Sequence, residues 1–212
     1  MAVRVITVER EYGSAGVEIA HRLAERLGWE LVDQALVQKV AQECNVESSL
    51  VESYDERCDP WYHRLTKAFW QGAPERTLAA PPPQSFDCAE MVAHVRKLIE
   101  EAADHGNCVI VGRGAACILS SRIDAFHIFV YGCRKEKLEY ARQHVCPETT
   151  LEKMEHVDRD RAAYVRKYFG LDWDNRKLYD LMINSAVGVE AVVDSVITLA
   201  GVTPRVPEMQ SV

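Results

Sequence analysis

Val3-Arg-Val-Ile-Thr-Val-Glu-Arg-Glu-Tyr-Gly-Ser-Ala-Gly-Val-Glu-Ile-Ala-His-Arg-Leu-Ala-Glu-Arg-Leu-Gly28 is the stretch on which the fold turns. Its first part, Val3 to Val8, reads as a strand. Its last part, Ala15 to Leu27, places Ile19, Ala20, Leu23, Ala24 and Leu27 on one face of a helix, and Gly28 is the residue type that ends a helix in the left-handed conformation. Between them, Glu9-Arg-Glu-Tyr-Gly-Ser-Ala-Gly16 runs straight from strand to helix. A loop in that position presents backbone N–H groups to an anion, backed by the positive end of the helix dipole. Gly13 and Gly16 permit the positive φ values and close approach that such a nest needs. Judged alone, the loop is equally compatible with a tight turn whose glycines serve packing.

Outward from this unit, Trp29 to Val32 reads as a second strand, and Asp33 can cap a helix from Ala35 to about Cys44. Residues 46–73 are mixed and aromatic, and the proline-rich 74–85 form a connection. Asp87 and Glu90 have capping-box spacing for a helix that ends before Gly106. Cys108 to Gly112 and Phe126 to Tyr131 are too uniformly apolar for half-buried strands; such runs belong to parallel strands covered on both faces. A charged helical stretch, Lys135 to His144, precedes a helix whose start is marked by Thr149 and Glu152. Tyr179 to Asn184 is a fifth strand, Glu190 to Ala200 a last amphipathic helix, and the tail from Thr203 is expected to fray. Strands alternating with helices predict an α/β fold: a five-stranded parallel sheet with helices on both faces and ligands outside the carboxyl ends of the strands. With no internal repeat and no second core, residues 1–212 read as a single domain.

The chain has 212 residues, is 48% hydrophobic and 27% charged, and carries a formal net charge of -7. A chain of this size buries about 70% of the surface it exposes when unfolded, so neither disulfides nor a structural metal is required. The acidic balance argues against nucleic acid as a partner, and leaves room for a small anion held by a few local arginines. Apolar runs fall short of the roughly 20 residues a bilayer needs, so no membrane partner is expected. The N-terminus lacks a basic patch followed by an apolar run, which makes the cytoplasm the expected compartment. Seven scattered cysteines without a C-x-x-C pair read as reduced structural thiols, and no metal-ligand set is visible.

The loop does not meet G-x-x-x-x-G-K-[ST]. Arg10 stands at the first glycine, Gly16 at the lysine, and Val17 at the Ser/Thr that holds Mg²⁺. Two further features fall at matching places. Val109-Ile-Val-Gly-Arg-Gly114 sets Arg113 at the carboxyl edge of the sheet, where a guanidinium can clamp phosphate in bidentate fashion. Met154, Val157, Arg161, Tyr164 and Tyr168 share one helical stripe, so Arg161 faces inward. An inward arginine needs an anionic partner, either Asp158 or a bound phosphate. Arg159 and Arg166 lie on another face as solvated charges.

Together these residues resemble the cytidylate kinase-like family, a branch of the P-loop nucleoside monophosphate kinases. The resemblance is carried by the first strand with Arg10-Glu-Tyr-Gly-Ser-Ala-Gly16, by Ile19-Ala20, Leu23-Ala24, Leu27-Gly28 and Asp33, by Val109 to Gly114, and by Asp158 to Tyr164, Trp173 and Tyr179 to Asn184. It implies a helical NMP-binding insertion over about 46–104, an arginine-bearing lid over about 134–170, and transfer of the γ-phosphoryl of ATP, with Mg²⁺, to CMP or a related small acceptor. Carried over by position, Gly13, Ser14, Ala15, Gly16 and Val17 would hold the donor phosphates. Arg113 would grip the acceptor phosphate, Arg161 would reach in from the lid, and Asp33 would help line the acceptor site. Arg10, Arg161 or Arg113 could compensate for the missing lysine. Arg57, Trp61, Arg64 and Trp70 could contact the acceptor, although an aromatic cluster in helices more often packs inside. Gly114 stands where the resemblance implies an aspartate in true cytidylate kinases, which leaves the acceptor base open. A second reading is a noncatalytic nucleotide-binding or regulatory module with a degenerate loop. A dinucleotide-dependent oxidoreductase fits less well, since the G-x-G-x-x-G spacing is absent.

Overall fold

The structure, a computed structural model, describes residues 2–33 and 88–205. The expected helix from Ala35 to Cys44, the 74–85 connection, Asp87, the residues Arg57, Trp61, Arg64 and Trp70, and the end of the tail lie outside the described residues. Five strands are β1 (Val5–Arg10), β2 (Glu30–Val32), β3 (Cys108–Val111), β4 (Ala125–Tyr131) and β5 (Leu181–Asn184). All pair in parallel, in the order β2-β3-β1-β4-β5, so the strand that leads into the glycine loop lies at the centre of the sheet. The helices are α1 (Gly16–Leu27), α2 (Cys88–His105), α3 (Ala115–Ile118), α4 (Arg134–His144), α5 (Leu151–Phe169) and α6 (Val189–Ala200).

Alternation along the strands divides the core. Ile6 and Val8 of β1, with Val109, Val111, Ile128 and Val130, pack against α1 and α6. Val5, Cys108 and Ile110 face the other way, onto Val95, Ile99 and Ala103 of α2 and onto α3. That face continues as an aromatic cluster of Phe129, Trp173 and Tyr179 with Val165 of α5. Ile6, Ile19, Leu23, Ile99, Ile110 and Ile128 are completely buried, each contributing about 1.5–3 kcal/mol. Of the range 46–104, the part seen in α2 therefore packs directly on the sheet. No described helix is long and apolar enough to cross a membrane.

Local differences from the sequence reading have physical causes. β1 runs two residues beyond Val8 because Glu9 and Arg10 remain paired with Phe129 and Val130 of β4. β5 begins at Leu181, not Tyr179, because Asp180 turns onto β4: its carboxylate accepts the His127 N–H at 2.7 Å, and its own N–H donates to the His127 carbonyl at 2.8 Å. Helix α5 is capped by Thr150, not Thr149. The Thr150 hydroxyl accepts the Lys153 N–H at 3.2 Å, whereas Thr149 is buried and donates to the Cys146 carbonyl.

Thr7 and His127, opposite one another on β1 and β4, bring a polar pair into the core, with Oγ1 and Nδ1 2.7 Å apart. Burial holds the His127 imidazole below its ordinary value of 6.5, opposed in part by Asp180. As pH falls through about 6.5 the unfolded chain takes up this proton before the folded one does. The stability linked to His127 is therefore complete above that pH and declines below it. The melting temperature should drop from pH 6.5 toward 5, and His127→Asn should flatten that slope by up to ~1.4 kcal/mol per pH unit. Identical slopes for wild type and variant would refute the assignment.

Candidate active site

At the carboxyl end of β1 the chain turns through Glu11 to Ala15 before α1 begins. Glu11 N–H donates to the Val130 carbonyl at 2.9 Å, and Ser14 N–H to the Glu11 carbonyl at 3.3 Å. Gly13 and Ala15 are left-handed, with φ of 78° and 57°. A left-handed alanine costs about 1–2 kcal/mol, a local strain of the kind that functional loops retain. The N–H groups of Gly13, Ala15, Gly16 and Val17 then have no hydrogen-bond partner among the described residues. Successive open amides at a helix N-terminus form an anion nest. The Ser14 side chain contributes nothing to it: its hydroxyl is buried and turned to the carbonyl oxygens of Glu11 and Val130 at 2.8 and 3.1 Å.

Arg10 leaves the end of β1 on the α1 side and lies across two glycines. A Cβ on Gly16 would overlap the Arg10 stem, and a Cβ on Gly112 would overlap its guanidinium. Among the described residues this half-buried guanidinium has no hydrogen bond and no ion pair, and its Nε is fully shielded from solvent. Arg113, in the left-handed region at φ 59°, lies close enough that the two cations repel. Its side chain is 5% exposed, with NH1 3.7 Å from the Asp33 carboxylate and 3.4 Å from the Val111 carbonyl. Burial lowers the Arg113 guanidinium to about 10, with Asp33 opposing and Arg10 reinforcing the shift. Glu9, one residue before Arg10, points to the opposite face of the sheet. It accepts the Trp173 indole N–H at 3.1 Å, while its other oxygen is buried without a partner.

On the far side of the loop, α4 and α5 close over it. Tyr12 is buried among Ala141 of α4 and Met154 and Val157 of α5. Its N–H donates to Asp158 Oδ1 at 2.7 Å. Arg161, the inward arginine of α5, donates to the Arg10 carbonyl at 2.6 Å and lies 3.3 Å from Asp158 Oδ1. Lys137 of α4 stands 2.9 Å from Glu11 Oε2 and 3.4 Å from Asp158 Oδ2. Burial pushes the Asp158 carboxyl above its ordinary value, with Arg161, the Tyr12 N–H and Lys137 opposing.

The structure thus brings Arg10, Arg113, Asp33 and the Gly13–Val17 amides to one edge of the sheet. Arg161 reaches the same loop through the Arg10 carbonyl and through Asp158, one of its two anticipated partners. Arg159 and Arg166 are exposed. Glu9, Glu11 and Lys137 were missed, Lys137 because a run of Arg-Lys-Glu-Lys reads as a solvated face. The one available clue was Gly132, which ends β4 just before that run, as Gly112 ends β3. Burial, reinforced by Glu9, pushes the Cys117 thiol up to about 12, away from the thiolate that cysteine chemistry at this position would need. The open amides and the unpaired Arg10 suit the phosphates of a nucleotide. The loop is less suited to Mg²⁺, since Ser14 is committed to the backbone and Val17 is aliphatic, and no described cluster of His, Cys, Asp and Glu could enclose a metal.

A family model described as the cytidylate kinase-like family matches residues 5–187. Among solved structures, an uncharacterized protein from Eubacterium ventriosum superposes with a TM-score of 0.67 at 20% identity, covering 94% of this chain and 99% of that one. The shikimate kinase of Bacteroides thetaiotaomicron gives 0.54 at 12% identity, covering 94% and 99%. A gluconokinase from Sinorhizobium meliloti gives 0.54 at 10% identity, covering 93% and 91%. At such identities the likeness shows the fold, which is that of P-loop kinases. No curated protein matches the chain.

Proposed function

The chain belongs to the cytidylate kinase-like family, whose kind of chemistry is P-loop phosphoryl transfer, and from that premise we propose that it moves the γ-phosphoryl of ATP to CMP or a related small acceptor. The observation that carries this reading is Arg10, a cation without an anionic partner among the described residues, lying between an open amide nest and the Gly112-Arg113-Gly114 turn. Phosphoryl transfer asks the protein for positioning and charge neutralisation more than for covalent chemistry. The open amides of Gly13, Ala15, Gly16 and Val17 and the α1 dipole hold the donor phosphates, and Arg10 neutralises the group in transit. Arg113, oriented by Asp33, receives the anionic end of the acceptor. Arg161 fixes the Arg10 carbonyl from the lid side. Mg²⁺, if it enters with the donor, would supply further charge neutralisation.

The test is ADP formation from ATP and Mg²⁺ across a panel of nucleoside monophosphates. Wild type should turn over at least one of them. Arg113→Ala should lower kcat/KM for that acceptor by about tenfold or more through loss of a charge-assisted contact, with affinity for ATP nearly unchanged. Equal loss for donor and acceptor would displace Arg113 from the acceptor site. The commitment of Ser14 and the aliphatic Val17 favour one second reading, a noncatalytic nucleotide-binding module. It predicts a rise in melting temperature with ATP but no turnover with any acceptor.

A further inference from the structure

Four ionic side chains, Glu11, Lys137, Asp158 and Arg161, meet behind the donor loop, and Lys137 joins the two carboxylates. Lys137 is an almost buried lysine, its side chain 9% exposed. Each of the two carboxylates it touches is also bonded to backbone. Glu11 Oε2 accepts the Gly132 N–H at 3.1 Å, and Asp158 Oδ1 accepts the Tyr12 N–H. The carbonyl of Lys137 itself abuts Gly13, closely enough that no Cβ could stand between them. The same residue therefore meets the loop through its backbone and, through two carboxylates, through its charge. Without the ammonium, Glu11 and Asp158 would repel one another in a place from which water is largely excluded, leaving Arg161 to answer Asp158 alone.

Building on the phosphotransferase reading above, we propose that Lys137 is a positioning residue for the donor loop: its ammonium, bridging Glu11 and Asp158, holds Glu11 to Gly13 against α4 and α5 in the shape that grips the donor phosphates. General α4–α5 packing is a separate matter. Arg134 pairs with Glu155 of α5 at 2.8 Å on the surface, at a point where no loop residue takes part.

The experiment measures binding of ATP–Mg²⁺ and of tripolyphosphate–Mg²⁺ to the full chain by calorimetry, well below each variant's melting temperature. Lys137→Met should weaken both probes by about tenfold or more, and by the same factor, since what is lost is the grip on phosphate. Lys137→Arg should restore most of the affinity, and Arg134→Ala should bind like wild type. A folded Lys137→Met that binds both probes as wild type does overturns the proposal, as does a Lys137→Arg no better than Lys137→Met. If Lys137→Met fails to fold, Glu11→Gln decides: weakened binding of both probes supports the bridge, and wild-type affinity overturns it. Wild-type protein that binds neither probe overturns the phosphotransferase reading and this proposal with it, an outcome distinct from loss of the Lys137 effect alone.

Discussion

Arg10→Met is expected to lower kcat by about a hundredfold or more while leaving the melting temperature unchanged or raised. Methionine keeps an unbranched stem over Gly16 and removes only the guanidinium. One preorganised charge contact to a developing anion contributes roughly 3 kcal/mol, which is a hundredfold or more in rate. Arginines aimed at a transferring phosphoryl contribute as much or more. The stability side of the prediction follows from surroundings. Arg10 is half-buried, has no anionic partner among the described residues, and depresses the guanidinium of Arg113 by repulsion. Removing a charge so placed relieves the folded state, the usual sign of a residue retained for function. Steady-state kinetics and thermal melts on one preparation test both halves. Turnover within a few-fold of wild type would refute the catalytic role, and a collapse in melting temperature would mean that Arg10 is chiefly structural.

Gly13→Ala should be the most destabilising single methyl group in the loop. The left-handed conformation at φ 78° costs an L-residue about 1–2 kcal/mol. The added Cβ would also collide with the Lys137 carbonyl, which is helix backbone and cannot swing aside; overpacking of this kind costs typically 1–3 kcal/mol. A total of about 3 kcal/mol lowers the melting temperature of a chain this long by roughly 6–12 °C. Gly170→Ala is the internal control, with φ 68° and nothing within 4 Å of the new methyl. It carries the conformational cost without the collision. Equal losses at the two positions would show that α4 yields freely and that the loop is not pinned there.

The fold was legible because its signals are local and redundant. Uniformly apolar runs such as Cys108 to Val111 announce strands buried on both faces, and α1 and α6 show their inner faces by spacing alone. Element ends were less legible, since β1 and β5 are bounded by cross-strand partners that no local pattern contains. At the site, glycines and arginines at strand ends could be read, since Gly13 and Arg113 owe their placement to the backbone next to them. Allegiance could not. That Arg113 meets Asp33, Arg161 meets Asp158 and Arg10 meets neither depends on directions set by residues up to 151 positions away. Lys137 shows the limit most clearly: among four charged neighbours in sequence, it alone is turned inward, by contacts that belong to the loop and to α5.

Trp173 has a use beyond its place in the core. Its ring stands edge-on to Phe129 with centroids 5.0 Å apart, and its indole N–H ends on Glu9, next in sequence to Arg10. The chain has four tryptophans. With the other three replaced by phenylalanine, Trp173 is left as the one tryptophan to emit, from a buried aromatic cluster with its indole N–H on a carboxylate near the tip of the central strand. A rearrangement of that tip becomes a change in light, readable without label, coupled enzyme or knowledge of the acceptor.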